Sequence, residues 1–307
     1  MSRDQTRAAD RWLAHMRRGD FAAAWAESDW LLQHGGRRQD PRLPRHEQAV
    51  WDGTPPHGRR VLVRCYHGLG DTIQFARFLP RLAALAAEVT TWAQPALLPL
   101  LATMPDAGRL LPLHDGVPAV DHEVDVEIME LAHLFRVTPA TLPARVPYLH
   151  VAPAAGVRRA AGALAVGVAW RAGGWDDRRS VPPALLAPLT RVPGVTLHVL
   201  QRGPGLDERP PGFGVVSGAD DPLAAARIVR ALDLVVTVDS MPAHLAGALG
   251  VPVWTLLHAD ADWRWMDGGE RSPWYPTMRL FRQERAGDWE PVVARVAGAL
   301  ARLAAAA

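Results

Sequence analysis

Residues 233–257 read DLVVTVDSMPAHLAGALGVPVWTLL. An apolar run, Asp233–Val238, predicts a buried strand that ends at Asp239. Ser240 then opens a helix through Leu249, with Pro242 in the first turn, where proline is well placed. Ala243, Ala246, Gly247, Ala248 and Gly250 keep that helix slim against a sheet. Val251–Leu257 is the next apolar strand. Strand, tight turn, slim helix and strand make one β-α-β unit, and such units build parallel sheets.

The same rhythm extends in both directions. Upstream, Leu164–Trp170 and Val195–Gln201 predict strands, and Pro182–Thr190 and Pro222–Leu232 predict helices. Downstream, residues 288–304 predict a last helix, placed to cross back to the first half of the chain. That first half repeats the pattern: strand Val61–Tyr66, turn His67–Asp71, helix Thr72–Ala87, strand Val89–Ala93, helix Pro95–Thr103, then strands Leu110–Leu113 and Val124–Ile128. Residues 139–162, heavy in Pro, Ala and Arg, read as the linker. The 307 residues suit two domains of roughly 120–150 residues each. Before them, residues 5–34 predict two amphipathic helices, one with Ala8, Trp12, Leu13 and Met16 on a face. Residues 35–58, rich in Gly, Pro and charge, read as a connector. The expected division is therefore 1–50 (helix pair and connector), 51–155 and 156–307. The expected fold class is α/β, two Rossmann-like doubly wound domains facing a cleft. Ligands of such folds bind at the carboxyl ends of the strands.

Composition removes several chemistries. All 34 basic side chains are arginine, and asparagine is absent. Without lysine there is no Schiff-base or Walker A lysine. Cys65 is the single cysteine, which excludes an intrachain disulfide and a cysteine-built zinc cluster. The formal net charge is only +2, with no basic stripe interleaved with aromatics, so nucleic acid is not an expected partner. The N-terminus lacks an apolar signal core. No apolar run reaches the roughly 18–20 residues of a membrane span. A cytoplasmic protein is expected, with peripheral membrane contact left open.

Three segments hold candidate chemistry. The first is HGLGDTIQFARFLP, residues 67–80. Gly68 and Gly70 let the backbone approach a ligand, His67 precedes them, and Asp71 opens the helix. Asp71 with Gln74 makes a good helix-capping pair; the functional alternative is a general base. The second is the turn at Asp239, Ser240 and His244, where a helix N-terminus suits phosphate. His244 is either a core histidine or a phosphate donor. The third is the aromatic loop 262–276, DWRWMDGGERSPWYP, in which Asp262 and Trp263 could line a ligand site; the alternative is that its indoles staple the loop to the body.

These segments, in this order, resemble the bacterial glycosyltransferases related to the heptosyltransferases (family 9-like), which are often fused behind tetratricopeptide repeats. The resemblance runs over roughly residues 15–300, and RRGDFAAAWAESDWLL (17–32) resembles the middle of one such repeat, here a lone remnant. It implies the GT-B fold. It implies Asp71 as the catalytic base, and Asp239, Ser240 and His244 as the donor-binding turn. Trp170, Arg171 and Arg179 lie where the family has donor-side segments, and Gln201 matches the polar residue closing the next strand. Asp262 and Trp263 match the loop after the last donor-domain strand. The sequence departs from the family at Tyr66 and His67, where Glu-Gln is usual, and at Met241, where a hydroxyl residue is usual. With no lysine, Arg171 or Arg179 takes the phosphate role, which a guanidinium fork suits.

The expected activity is inverting, metal-independent transfer of a sugar from a nucleotide-diphosphate sugar to a hydroxyl on a glycan or protein, with no cofactor. No metal-binding residues are expected: the Asp176–Asp177 and Asp220–Asp221 pairs read as solvated, and Asp260 with Asp262 as loop structure. The alternative is a degenerate member that binds a partner through its N-terminal helices. The sugar, the nucleotide base, the acceptor and the oligomeric state are not written in the sequence.

Overall fold

The computed structural model describes residues 3–34, 44–174 and 176–307. Residues 35–43 of the connector, and Trp175 in the arginine-rich loop, lie outside the described residues. The chain divides into two units: Met1–Ala144 together with Asp262–Gly268, and Arg145–Ala261 together with Gly269–Ala307. The division falls earlier than 155/156, and the helix pair belongs to the first unit.

The first unit opens with α1 (Arg3–Arg17) and α2 (Phe21–Gln33). Asp20 caps α2 by accepting from the Ala23 N–H, so the Gly19–Asp20 break separates the two helices as expected. Then come β1 (Arg60–Arg64), α3 (Leu69–Phe75), α4 (Leu79–Ala83), β2 (Glu88–Ala93), α5 (Leu98–Leu101), β3 (Arg109–Pro112), β4 (Val124–Glu127) and α6 (Leu131–Leu134). The sheet is parallel, in the order β3-β2-β1-β4. The single helix expected over 72–87 is two, α3 and α4, joined by a 3-10 turn, Ala76–Phe78. Pro80 is the cause: without an N–H it cannot donate back to Ala76, and the α-helical ladder is interrupted. Ile73, Phe75, Phe78, Leu79 and Leu82 are all fully buried under the sheet.

The helix pair is built into this unit. Trp25 is buried, its indole Nε1 donates to the Val137 carbonyl at 2.6 Å, and its ring stacks on His133 with centroids 5.4 Å apart. Asp29 accepts from His133 and Arg136. The returning segment 262–268 closes the other side: Trp263 meets Trp12 edge-on at 5.3 Å, and the Asp267 N–H donates to the Arg17 carbonyl at 2.9 Å.

The second unit contains β5 (Leu164–Ala169), β6 (Val195–Val199), β7 (Val215–Val216), α7 (Pro222–Arg230), β8 (Leu234–Val238), α8 (Met241–Ala248), β9 (Val253–Leu257), β10 (Met278–Arg282) and α9 (Glu290–Ala305). Its sheet is parallel, in the order β10-β9-β8-β5-β6-β7. The expected helix 182–190 is a 3-10 segment, Pro183–Arg191, with Pro188 inside it. The last helix stays in this unit rather than crossing back: Val292, Val293, Val296 and Leu300 join the core with Val166, Val236 and Leu256.

Gly247 shows why α8 carries small residues. A Cβ there would sit 2.4 Å from the Tyr275 ring, and Tyr275 is fully buried. Gly247→Ala therefore forces the ring or the helix to move. We expect a loss of about 1–3 kcal/mol, measurable by urea unfolding.

Cys65, just beyond β1, is fully buried, and burial pushes its thiol pKa well up. The thiolate is the reactive form. The native protein should resist iodoacetamide at pH 8, and the unfolded protein should react stoichiometrically, as a mass-shift assay would read.

Candidate functional site

Each unit carries a cavity at the carboxyl ends of its parallel strands, as the topology requires. In the second unit, a cavity of about 440 Å³ opens beyond β5, β6 and β8, against α7 and the start of α8. Arg171 and Arg202 supply positive charge, Gly173 and Gly174 line it with bare backbone, and Leu200, Ile228 and Leu245 give it an apolar wall. Arg171 pairs with Glu208, and Arg202 forks onto Asp220 at 2.6–3.0 Å. The two arginines are thus held in place by carboxylates before any anion arrives.

Gln201 clips two strand ends together: its Oε1 accepts from the Trp170 and Arg171 N–H groups at 3.1 and 2.9 Å. Its side chain lines the same cavity. Ser240 is the N-cap of α8 and also lines the cavity, but its hydroxyl turns back to the Val238 carbonyl and does not cap the helix. The helix's positive end therefore faces this space with Met241 and Pro242 beside it.

Four expected donor-side residues are placed differently. His244 is 3% exposed, sits behind the first turn of α8, meets the Tyr275 hydroxyl at 3.1 Å, and lies 4.0 Å from Asp239. It does not line the cavity, so the phosphate-donor role gives way to the core alternative: a histidine at the fourth position of α8 points under the helix, towards the Tyr275 ring. Asp239 is buried, and its carbonyl accepts from Arg179 Nη1 at 3.1 Å. Arg179 also reaches the Gly173 carbonyl at 3.4 Å and serves to tie the arginine loop to the end of β8. Trp170 is fully buried and packs edge-on against Phe213 at 5.9 Å.

In the first unit, the turn at Gly68–Asp71 is a helix start, though with a different cap from the one expected. Gly68 is the N-cap and Asp71 is the third helical residue, reaching back so that its Oδ2 accepts from the Gly68 N–H at 3.0 Å. Gly70 lies within the first turn. Gln74 does not partner Asp71 as a cap. Both instead meet one guanidinium: Arg264 Nη1 is 2.7 Å from Asp71 Oδ1 and 3.0 Å from Gln74 Oε1. Asp262 fixes Arg264 from behind, accepting from its Nε at 2.8 Å. The Asp71 side chain remains 22% exposed.

Trp263 packs in the Trp12–Phe21–Phe75 cluster and also lines the first unit's cavity, as does His67. The loop is thus stapled to the body by Trp263, while Asp262 holds Arg264 and does not line the cavity. His67 is half-buried, its Nε2 lies 3.8 Å from Glu127 Oε2, and burial lowers its pKa.

No family model matches the chain. Solved structures do. A family 9 glycosyl transferase from Veillonella parvula superposes with a TM-score of 0.59 at 13% identity, covering 83% of this chain and 99% of that one. E. coli ADP-heptose heptosyltransferase II gives 0.54 at 14%, covering 80% and 98%. E. coli heptosyltransferase WaaC with ADP-2-deoxy-2-fluoro heptose gives 0.52 at 13%, covering 78% and 99%. This chain has the fold of the family 9 glycosyltransferases. Protein FlbA of Caulobacter vibrioides is 28% identical over an alignment of 293 residues, covering 83% of this chain and 48% of that protein. The chain thus spans about half the length of the curated relative it matches.

On this fold, the residues that sequence reasoning missed are Arg264, Glu127, Arg202 and Glu208. Arg264 stands in the quoted aromatic loop, and its Arg-flanked-by-Trp setting was the available signal. Arg202 follows Gln201 directly, at a strand end where an arginine suits an anion.

Proposed function

We propose that the chain is a glycosyltransferase that moves a sugar from a nucleotide-diphosphate sugar to an acceptor hydroxyl, with inversion and without metal assistance. The observation that carries this reading is the second unit's cavity, where Arg171, Arg202 and the start of α8 converge. Two guanidinium groups and a helix N-terminus suit a diphosphate, and the apolar wall suits a nucleoside. The family 9 fold supports the same reading, and neighbours of that fold are described with ADP and an ADP-linked heptose analogue.

The chemistry follows from charge. The acceptor oxygen attacks the anomeric carbon while the bond from that carbon to the diphosphate oxygen breaks. The electron pair leaves with the diphosphate, where the arginines stabilise it. Asp71 takes the acceptor's proton. Arg264, at 2.7 Å, orients that carboxylate. Glycan and protein hydroxyls both remain acceptor classes for this reaction, cell-surface glycans among them. No helix among the described residues is long and apolar enough to cross a membrane.

A screen of nucleotide sugars by thermal shift tests the donor assignment, starting with ADP-linked sugars. A donor at 100 times its dissociation constant should add about 2.7 kcal/mol. Arg171→Ala should then weaken that donor roughly 10–100-fold, since hydrogen bonds to charged groups contribute about 1.5–3 kcal/mol; calorimetry reads the change. Unchanged affinity in this variant would remove the cavity from the donor role. The Asp71–Arg264 pair also favours a second reading, a binding protein that retains the fold, because both Asp71 oxygens already accept hydrogen bonds.

A further inference from the structure

The first unit's cavity has a composition unlike the rest of the chain. It encloses about 460 Å³ at the carboxyl ends of β1 and β4, beneath α1 and α2. Three indoles (Trp12, Trp25 and Trp263), three glutamates (Glu47, Glu127 and Glu130) and three histidines (His46, His67 and His133) line it. None of its described lining residues is arginine, although the chain has 34. Positive charge has been kept out of the wall, in contrast to the second unit's cavity.

Glu127 is the deepest of the acids, at 2% exposure. Its Oε2 accepts from the Met129 N–H at 2.7 Å, and its Oε1 from the Tyr66 N–H at 3.3 Å. Burial, with Glu130 and Asp71 nearby, raises its pKa well above that of an ordinary carboxyl. The ionisable side chains around it are Glu130 on its own short turn, Cys65 just beyond β1, Asp71 and His67 at the start of α3, His46 and Glu47 from the connector, and His133 on α6, with the Arg264 guanidinium bonded to Asp71. The histidines are no substitute for a permanent cation. A cation facing a desolvated carboxyl favours its charged form.

Trp12 adds an independent sign. Its ring lines the cavity and meets Trp263 edge-on at 5.3 Å, which fixes that indole wall. Indole faces, for their part, attract cations and stack on sugar rings.

We infer that this cavity binds a protonated amine carried on a compact hydroxylated ring, the chemistry of an amino sugar. The ammonium lies towards Glu127 and Glu130, and the indoles of Trp12, Trp25 and Trp263 cover the ring. The inference concerns binding in the first unit and stands whether or not the second unit's donor assignment holds.

The test uses the full chain and D-glucosamine at pH 6.5, with D-glucose and N-acetyl-D-glucosamine as uncharged controls, read by calorimetry. Glucosamine should bind at least about tenfold more tightly than either control, a difference of roughly 1.4 kcal/mol. Glu127→Gln removes the ionisable group but keeps its shape, and should abolish the tenfold preference. Trp12→Leu should weaken glucosamine in a protein whose melting curve still shows one cooperative transition. If Glu127→Gln fails to fold, Glu47→Gln and Trp12→Leu carry the comparison. Equal binding of glucosamine and glucose, no measurable heat with glucosamine, or an unchanged preference in the folded variants would each overturn the inference. None of these outcomes bears on the donor screen, so the two assignments fail separately.

Discussion

Asp71→Asn lowers turnover by about 10²–10⁴-fold and leaves donor affinity unchanged, because the arginines assigned to the diphosphate belong to the other unit. An amide has the shape of the carboxylate but cannot take the acceptor's proton. It can still accept from the Gly68 N–H, so the start of α3 survives. It no longer offers a charge to Arg264, and stability falls by about 1.5–3 kcal/mol, the range for a hydrogen bond to a charged group. Turnover and donor binding, measured side by side on folded wild type and variant, decide the assignment. Full turnover in Asp71→Asn would move the proton to His67, whose lowered pKa keeps its ring neutral at a lower pH than an ordinary imidazole. A wild type that binds donors and turns over none of them would favour the binding reading.

Trp25→Ala should cost about 3–5 kcal/mol, the usual loss for truncating a buried tryptophan. The residue contributes more than area. Its Nε1 bond to the Val137 carbonyl joins α2 to the segment after α6, and its ring lies between Phe21 and His133. Removing it leaves a buried carbonyl without that donor and opens a void beside the cavity. By contrast, Arg11→Ala breaks only the exposed fork onto Glu27 and should cost far less, as exposed ion pairs contribute little. Urea midpoints for the two variants give the comparison. A loss below that of Arg11→Ala at Trp25 would mean that the helix pair is an appendage and not part of the first unit.

The alternation of strands and helices was legible because each buried strand is a short apolar run bounded by turn residues, as in Leu234–Val238 and Val253–Leu257. What escaped has physical causes. Pro80 and Pro188 break helical patterns that the apolar spacing alone would continue. β10, the sequence MRLFR, alternates apolar and charged residues, unlike the largely apolar run LVVTV of β8, and it went unread. At the candidate site, Arg171, Gln201, Ser240, His67 and Trp263, named as site residues from the sequence, line the two cavities. The orientation of His244 towards Tyr275 was not evident, since helix position names a face only once the neighbouring elements are known. Arg264 stood in a legible Trp-Arg-Trp setting, but its partner was not legible. It meets Asp71 across 193 residues of sequence, and no local pattern encodes so distant a partner.

That distance also governs how the chain acquires its structure during synthesis. The first unit is discontinuous: residues 262–268 complete it after most of the second unit has been made. A ribosome that has released only residues 1–144 has produced α1, α2 and all four strands of the first sheet, but not the indole that covers Trp12, Phe21 and Phe75, nor the guanidinium that meets Asp71. The aromatic patch and the Asp71 oxygen that Arg264 meets are therefore completed only when the late segment emerges. The Asp71 turn gains its guanidinium only in a chain translated at least as far as Arg264.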